Sequence, residues 1–227
     1  MTDILEAVAA AQPGGVRLHE LSHALDAPKS SVFGLVKGLV ATGYLVEENG
    51  HYLLGPALSH LLAVERPSLV EAARPALEAL RDRFEETVTL ATPVGDSIVY
   101  ADSVESAQVI RYSAPLHTRR PLYPPSPGKA VLAQWSRQRQ ETYLEDRVTP
   151  DALAAVLAEL DEVRATGIAF NRGETLADVS AAAAPIIVAG KLLGVISVAG
   201  PTSRISAKLD EIAVALKNAA AATAKRV

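Results

Sequence analysis

The sequence has 227 residues, which is the length of two domains of ordinary size or of one large domain. Hydrophobic residues make up 49% of it and charged residues 21%, a composition that supplies packed cores and excludes a disordered chain. The formal net charge is −4, so the chain is not a polycation, and any contact with nucleic acid must come from a local surface.

Cysteine is absent, which excludes disulfide scaffolds, thiol catalysis and zinc sites built on cysteine. Residues 1–11 lack the basic lead and the apolar run of a signal peptide. The longest apolar run, residues 181–190, is shorter than the ~20 residues that a membrane-spanning helix needs. We therefore expect a soluble, cytoplasmic protein without membrane contact.

Three short helices and a hairpin are predicted in residues 1–55. The hairpin signal is Asn49-Gly50, which lies between two runs of strand-forming residues. Asp3 and Glu6 have the spacing of a capping box in the first helix. Three helices and a hairpin are typical of a winged helix-turn-helix, which is a DNA-binding domain. We expect a linker helix to follow it at residues 56–67. The three helices are predicted near residues 3–11, 18–25 and 28–42.

Residues 68–227 predict a mixed domain in which a proline-rich loop, residues 121–127, leads into a helix. Helices outside a mostly antiparallel sheet are typical of an α+β sensor domain. The helices are predicted near residues 68–85, 128–135, 138–146 and 150–166 and from about residue 206. The strands are predicted at residues 86–101 (two strands around a turn at 93–96), 108–112, 168–171, 182–188 and 193–199.

The third predicted helix carries the main functional signal. One face presents Ser30, Phe33, Gly34 and Lys37, with Lys29 at its start. Lysine binds phosphate or guanine, serine binds phosphate or a base edge, and phenylalanine contacts a thymine methyl, so this face suits the major groove of DNA. An ordinary solvated helix face is the alternative. The opposite, buried stripe is predicted to consist of Val32, Leu35, Val36 and Leu39.

The predicted DNA-binding domain is itself acidic. Residues 1–55 contain three lysine or arginine residues and six aspartate or glutamate residues, which gives a net charge of −3. DNA-binding modules are usually basic. We therefore expect modest affinity from one module and binding by the two modules of a dimer.

Two short motifs suggest other chemistry. Residues 19–23 match the H-E-x-x-H pattern of zinc hydrolases, but Lys29 stands where one subfamily places its third ligand. Gly128-Lys129 resembles the end of a phosphate-binding loop, but Tyr123 and Ala130 replace the glycine and the hydroxyl that such a loop needs. We predict no catalytic residue, metal site or cofactor.

Four segments, in this order along the chain, resemble the IclR family of bacterial transcriptional regulators. The resemblance covers nearly the whole chain, and it implies an α+β protein in which a winged helix-turn-helix (residues 1–55) is joined by a linker helix (56–67) to a GAF-like effector-binding domain (68–227). The segments are DAPKSSVFGLVKGLVATGYL (26–45), PLYPPSPGKAVLA (121–133), GIAFNRGE (167–174), and AAAAPII (181–187) followed by GVISVAGPTSR (194–204).

The resemblance implies a ligand-responsive regulator, a repressor rather than an activator, that binds a pseudo-palindromic DNA operator as a dimer or a dimer of dimers. The residues expected to bind DNA are Lys29, Ser30, Ser31, Phe33 and Lys37, with His51 on the wing. The residues expected near the effector are Leu122, Tyr123, Ser126, Gly128, Ala181, Ile196, Ser197 and Ala199.

Three positions depart from the family pattern. Gly34 stands where members commonly carry an arginine, Ala181 where they often carry a cysteine, and Ala199 where they carry a serine. The alanines at positions 181 and 199 therefore remove two side chains that could form hydrogen bonds with an effector. We expect an effector with one polar or anionic end and an apolar or aromatic body. Its polar end would be held by Ser197 and by backbone groups at the start of the Gly128 helix.

Two other functions stay open at this point. One is a GAF-like small-molecule sensor whose helical module binds a protein partner and not DNA. The other is a zinc hydrolase. A mobility shift on upstream DNA separates the first from a regulator, and metal analysis settles the second.

Overall fold

The computed structural model describes residues 1–58 and 68–227. The chain divides into two compact units, Met1–Glu65 and Arg66–Val227. Most of the linker helix predicted at residues 56–67 lies outside the described residues, so this helix stays a prediction.

The N-terminal unit has the predicted winged helix-turn-helix architecture. Its hairpin turns at Asn49 and Gly50, whose φ angles of 52° and 78° are those of a two-residue turn that matches the twist of the strands. Val16 forms one further antiparallel bridge with Tyr52 of the hairpin. The elements are α1 (Thr2–Ala10), α2 (Leu18–Ala24), α3 (Lys29–Ala41), β1 (Leu45–Glu48) and β2 (His51–Leu54).

Two details of this unit differ from the sequence prediction. Leu35 is 41% exposed, because Val32, Val36 and Leu39 alone form the buried stripe of α3 and Leu35 lies at its border. The capping box predicted at Asp3 is absent, because α1 begins at Thr2 and Asp3 already lies within its first turn.

The C-terminal unit is built on a six-stranded, fully antiparallel sheet with the strand order β5-β4-β3-β8-β7-β6. The strands are β3 (Thr87–Val94), β4 (Ser97–Val104), β5 (Arg119–Pro121), β6 (Ala169–Arg172), β7 (Val179–Val188) and β8 (Lys191–Pro201). The helices are α4 (Leu69–Phe84), α5 (Ser126–Leu132), α6 (Arg137–Leu144), α7 (Pro150–Thr166), α8 (Thr202–Ile205) and α9 (Leu209–Ala224), with a 3-10 turn at Ser206–Lys208.

Helices cover both faces of this sheet and give the unit two cores. Helices α4 and α9 pack on one face, and α5, α6 and α7 contribute to the core on the other. Successive strand residues point to opposite faces. Along β8, Ile196 therefore belongs to the first core and Val195 to the second. No helix within residues 1–58 and 68–227 is long and apolar enough to cross a membrane.

The prediction of a strand at residues 108–112 is wrong. These residues lie in the loop between β4 and β5, where Val109 and Ile110 are 94% and 72% exposed. A side chain holds this loop, since Thr87 Oγ1 donates a hydrogen bond to the carbonyl of Tyr112 at 2.6 Å. The strand of this region is instead β5, which ends in Pro121, a residue that an edge strand tolerates.

Candidate functional site

The α3 residues predicted to contact DNA all lie on the exposed surface of the N-terminal unit: Lys29, Ser30, Ser31, Phe33 and Lys37. Phe33 is 44% exposed, and its ring centroid lies 5.5 Å from the ammonium of Lys37. The face therefore combines an apolar ring, hydroxyl groups and cations, the groups that read a DNA groove.

Lys37 is not free on this face. Its Nζ donates a hydrogen bond to Glu47 Oε2 of β1 at 2.9 Å, and this bond together with the charge of Glu47 raises the pKa of Lys37. A phosphate that binds Lys37 must compete with this carboxylate. Both side chains of this ion pair are exposed, and exposed ion pairs are weak, so a phosphate competes with a weak interaction.

His51 of the wing lies beside a basic residue that the sequence prediction missed. Arg17 Nε donates to His51 Nε2 at 3.2 Å, which puts a guanidinium and an imidazole together on the exposed surface. The hairpin brings them together, because β2 pairs with Val16, the residue before Arg17. The one signal in the sequence is that Arg17 is one of only three basic residues in residues 1–55.

The side chains of the H-E-x-x-H motif, residues 19–23, do not form a metal-binding cluster. Glu20 instead accepts a hydrogen bond at 2.7 Å from the backbone N–H of Arg17, at the start of α2. Within residues 1–58 and 68–227, no three His, Cys, Asp or Glu side chains are grouped as metal ligands.

The C-terminal unit contains a small pocket, with about 40 Å³ available to the centres of water molecules and about 430 Å³ of empty space when the open solvent at its mouth is counted. Much of its wall is apolar, with two prolines, two alanines, a leucine and a valine. The lining residues are Tyr100, Tyr112, Arg120, Pro125, Ser126, Pro127, Asn171, Thr175, Leu176, Val179, Ala181, Ser197 and Ala199.

Two polar atoms of the lining residues are buried and have no hydrogen-bond partner among the described residues: Arg120 Nε and Ser126 Oγ. The guanidinium of Arg120 lies 5.6 Å from the ring centroid of Tyr100. A buried polar atom without a partner costs about 1–3 kcal/mol, and a cation in an apolar wall attracts an anion. These two groups are therefore suited to binding an anionic group.

The other polar side chains of the lining bond to the protein or stay neutral. Ser197 Oγ lies 2.7 Å from Thr89 Oγ1, and Asn171 Nδ2 donates to the carbonyl of Pro124 at 3.1 Å and to Thr175 Oγ1 at 2.8 Å. Burial raises the pKa of Tyr100, which keeps its phenol neutral. Among the residues that line the cavity, Arg120 is the only cation.

The structure brings four of the eight predicted effector residues to the cavity wall: Ser126, Ala181, Ser197 and Ala199. The other four lie elsewhere. Leu122 is fully buried in the core, and Gly128 packs so closely that a Cβ there would lie 2.0 Å from the Leu122 carbonyl oxygen. Tyr123 has its ring 5.7 Å from the Lys129 ammonium, and Ile196 points to the opposite face of the sheet.

The sequence prediction missed several cavity residues, among them Tyr100, Tyr112 and Arg120. These three come from β4, from the loop after it and from β5. Only the pairing of β4 with β5 brings Tyr100 and Arg120 together. No local pattern in the sequence could have assigned them to one site.

Two family models match the chain. The model "Bacterial transcriptional regulator IclR C-terminal" matches residues 61–225, and the model "IclR helix-turn-helix domain" matches residues 2–49. Together they cover both units.

Named relatives and a solved structure agree with these models. The chain is 34% identical to the HTH-type transcriptional regulator BhcR of Paracoccus denitrificans, over 96% of this chain and 82% of the relative. It is 26% identical to the HTH-type transcriptional repressor AllR of Escherichia coli K12, over 85% and 76%. The fold matches that of an IclR homologue from Microbacterium hydrocarbonoxydans, crystallised with 4-hydroxybenzoate, with a TM-score of 0.76, 20% identity and coverage of 99% and 98%.

Proposed function

The chain belongs to the IclR family of bacterial transcriptional regulators, and on this premise we propose that it is a repressor controlled by an organic carboxylate that binds in the Arg120 cavity. The proposed sign of regulation is supported by the relative AllR, which is named a repressor. A repressor of this kind acts in the cytoplasm, where bacterial DNA lies.

The observation that carries the proposed effector class is that two residues lining the cavity, Arg120 and Ser126, each have a buried polar atom without a partner, Nε and Oγ. A carboxylate has two oxygens, and it accepts a charge-assisted hydrogen bond from a guanidinium together with one from a hydroxyl. The apolar wall around them favours an apolar or aromatic body. The 4-hydroxybenzoate bound by the Microbacterium relative has this chemistry.

The proposed DNA surface is the exposed face of α3, with Arg17 and His51 at the wing. We propose that a homodimer, or a dimer of dimers, places two such faces on a pseudo-palindromic operator. The net charge of −3 in residues 1–55 supports this arrangement, because one acidic module gains little from phosphate contacts and two modules add their contacts.

The effector assignment is tested by thermal unfolding with benzoate, 4-hydroxybenzoate, glyoxylate and pyruvate as probes. We expect the two aromatic acids to raise the midpoint of the wild type by several degrees at saturating concentration, and the small acids to raise it less. In Arg120→Met the aromatic acids lose most of this effect, because the carboxylate loses its cation.

The matched control is Arg119→Met. It removes the same charge from the neighbouring residue, whose exposed side chain donates to the Val94 carbonyl. This variant is expected to respond like the wild type. If Arg120→Met binds aromatic acids as well as Arg119→Met does, the carboxylate does not bind at Arg120. If the small acids stabilise the wild type and the aromatic acids do not, the proposed effector class is wrong.

A further inference from the structure

Lys129, the lysine of the Gly-Lys-Ala segment, is a fully buried cation. Its ammonium has three donors, and three acceptors surround it: Glu159 Oε1 at 2.7 Å, the Phe170 carbonyl at 3.1 Å, and Glu174 Oε2. A buried ammonium is tolerated only when it is paired and hydrogen-bonded. Lys129 therefore uses all three of its N–H donors to bind the segments of the chain that carry these acceptors.

The three acceptors come from different parts of the fold. Glu159 lies in the middle of α7, and Phe170 lies in β6, so regular structure already holds both of them. Glu174 lies in the loop of residues 173–178 between β6 and β7, which we name the cover loop. Of the three bonds, only the bond to Glu174 joins the buried cation to a segment without regular structure.

The cover loop forms part of the cavity. Thr175 and Leu176, the two residues after Glu174, both line it, although Leu176 is 53% exposed. Asn171 Nδ2 donates to Thr175 Oγ1 at 2.8 Å.

Backbone bonds also hold the loop: Gly173 N–H donates to the Val179 carbonyl at 3.2 Å, Val179 N–H to the Leu176 carbonyl at 2.9 Å, and Thr202 N–H to the Asp178 carbonyl at 2.8 Å. The loop can turn sharply here because Gly173 has a φ of +84°, and a Cβ there would lie 2.8 Å from the Ala177 carbonyl oxygen.

We propose that Glu174 is a positioning residue of the cavity: its ion pair with buried Lys129 holds the cover loop so that Thr175 and Leu176 lie against the cavity. Glu174 touches no ligand in this arrangement and acts through the loop. The same helix α5 carries Ser126 in the cavity wall and Lys129 one turn later, so the loop is fixed to the element that also supplies a polar group of the site. The inference depends on the proposed function only for identifying the cavity as the effector site.

The test is hydrogen–deuterium exchange of the 227-residue chain without ligand, read at the two backbone amides that close the cover loop: Gly173 N–H, which donates to the Val179 carbonyl at 3.2 Å, and Val179 N–H, which donates to the Leu176 carbonyl at 2.9 Å. The variants are Glu174→Ala and its matched control Glu159→Ala. Both remove one carboxylate from the same ammonium, and the two side chains are similarly exposed, at 38% and 35%. Only Glu174 lies on the cover loop.

We expect exchange at the Gly173 and Val179 amides to be about tenfold faster in Glu174→Ala and within about twofold of wild type in Glu159→Ala. Glu174→Gln is expected to lie between wild type and Glu174→Ala, because its amide oxygen still accepts a hydrogen bond from Lys129. If Glu174→Ala does not fold, Glu174→Gln against Glu159→Gln gives the same comparison with a smaller difference.

Equal exchange rates in the two alanine variants, or no change in either, would overturn the positioning role. A protein that binds no aromatic acid but shows the expected exchange pattern would contradict the proposed effector and leave the role of Glu174 standing. The two proposals therefore fail separately.

Discussion

Two adjacent arginines show what a single residue decides in this protein. Arg119 and Arg120 are consecutive in β5, and successive strand residues point to opposite sides. Arg120 lines the cavity, whereas Arg119 is exposed and bonds to the Val94 carbonyl. The sequence analysis predicted a polar or anionic effector end, held by Ser197 and by backbone groups at the start of the Gly128 helix. The hydroxyl of Ser197 already lies 2.7 Å from that of Thr89.

Two cavity residues, Ala181 and Ala199, were predicted from the sequence through the family resemblance. Ala181 and Ala199 are direct partners in the antiparallel pair of β7 and β8, so they share one face of the sheet. Their assignment to the effector site came from the family resemblance, and the structure places both on the cavity wall. Arg120 could not be found in this way, because its strand has three residues and lies within a segment predicted partly as loop.

Gly34 allows a test of DNA binding at the residue scale. It is exposed on α3, and nothing lies within 4 Å of the position that a Cβ would take, so a larger side chain fits. We expect Gly34→Arg to bind operator DNA more tightly and to steepen the salt dependence by about one unit, because it adds a cation to the DNA face. The helix also gains about 1 kcal/mol when glycine is replaced.

Fluorescence anisotropy at several salt concentrations measures this prediction. Gly34→Ala is the control, since it makes the same gain in helix propensity without the charge. If Gly34→Arg and Gly34→Ala bind DNA equally, the exposed face of α3 does not approach the phosphates.

At the scale of elements, the ion pair between Lys37 of α3 and Glu47 of β1 joins the helix to the wing. Sequence patterns predicted both elements, since α3 has a helical apolar stripe and β1 leads into an Asn-Gly turn. They did not predict this contact, because it depends on how the hairpin folds back beside the helix. The strand predicted at residues 108–112 was wrong for a similar reason: strand-forming residues give a strand only where a partner strand lies beside them.

Glu47→Gln is expected to strengthen DNA binding severalfold at low salt. The substitution leaves Lys37 with at most a neutral hydrogen bond, which competes less with a phosphate than the ion pair does, and it removes a negative charge near the DNA face. Glu48→Gln is the matched control, because it removes the same charge from the next residue, which lies outside this ion pair. The two variants are compared in a DNA titration at low and at high salt.

A larger gain from Glu47→Gln than from Glu48→Gln supports the competition between Glu47 and DNA for Lys37. Equal gains would show that only the net charge of the module matters. A gain from neither would remove the wing acids from the interface.

At the scale of the whole molecule, the fold class and the family were predictable because several independent signals agree. Helical periodicity, the Asn-Gly hairpin and four ordered segments indicated a winged helix-turn-helix followed by a GAF-like α+β domain, and the structure and the family models confirm both. The candidate effector site was predictable only in part, because its walls come from segments far apart in the chain. The position of its cation, Arg120, depends on the register of β5 against β4, which the sequence does not reveal.

We propose that a carboxylate bound in the Arg120 cavity controls DNA binding, and a DNA titration with and without ligand tests this proposal. The probe is a genomic fragment that the protein retains, titrated with wild type, Arg120→Met and Arg119→Met, with and without saturating 4-hydroxybenzoate. We expect the acid to weaken DNA binding at least about tenfold in wild type and Arg119→Met, and to leave Arg120→Met unchanged. DNA affinity that is the same with and without the acid in the wild type, or that changes equally in Arg120→Met, would contradict the claim.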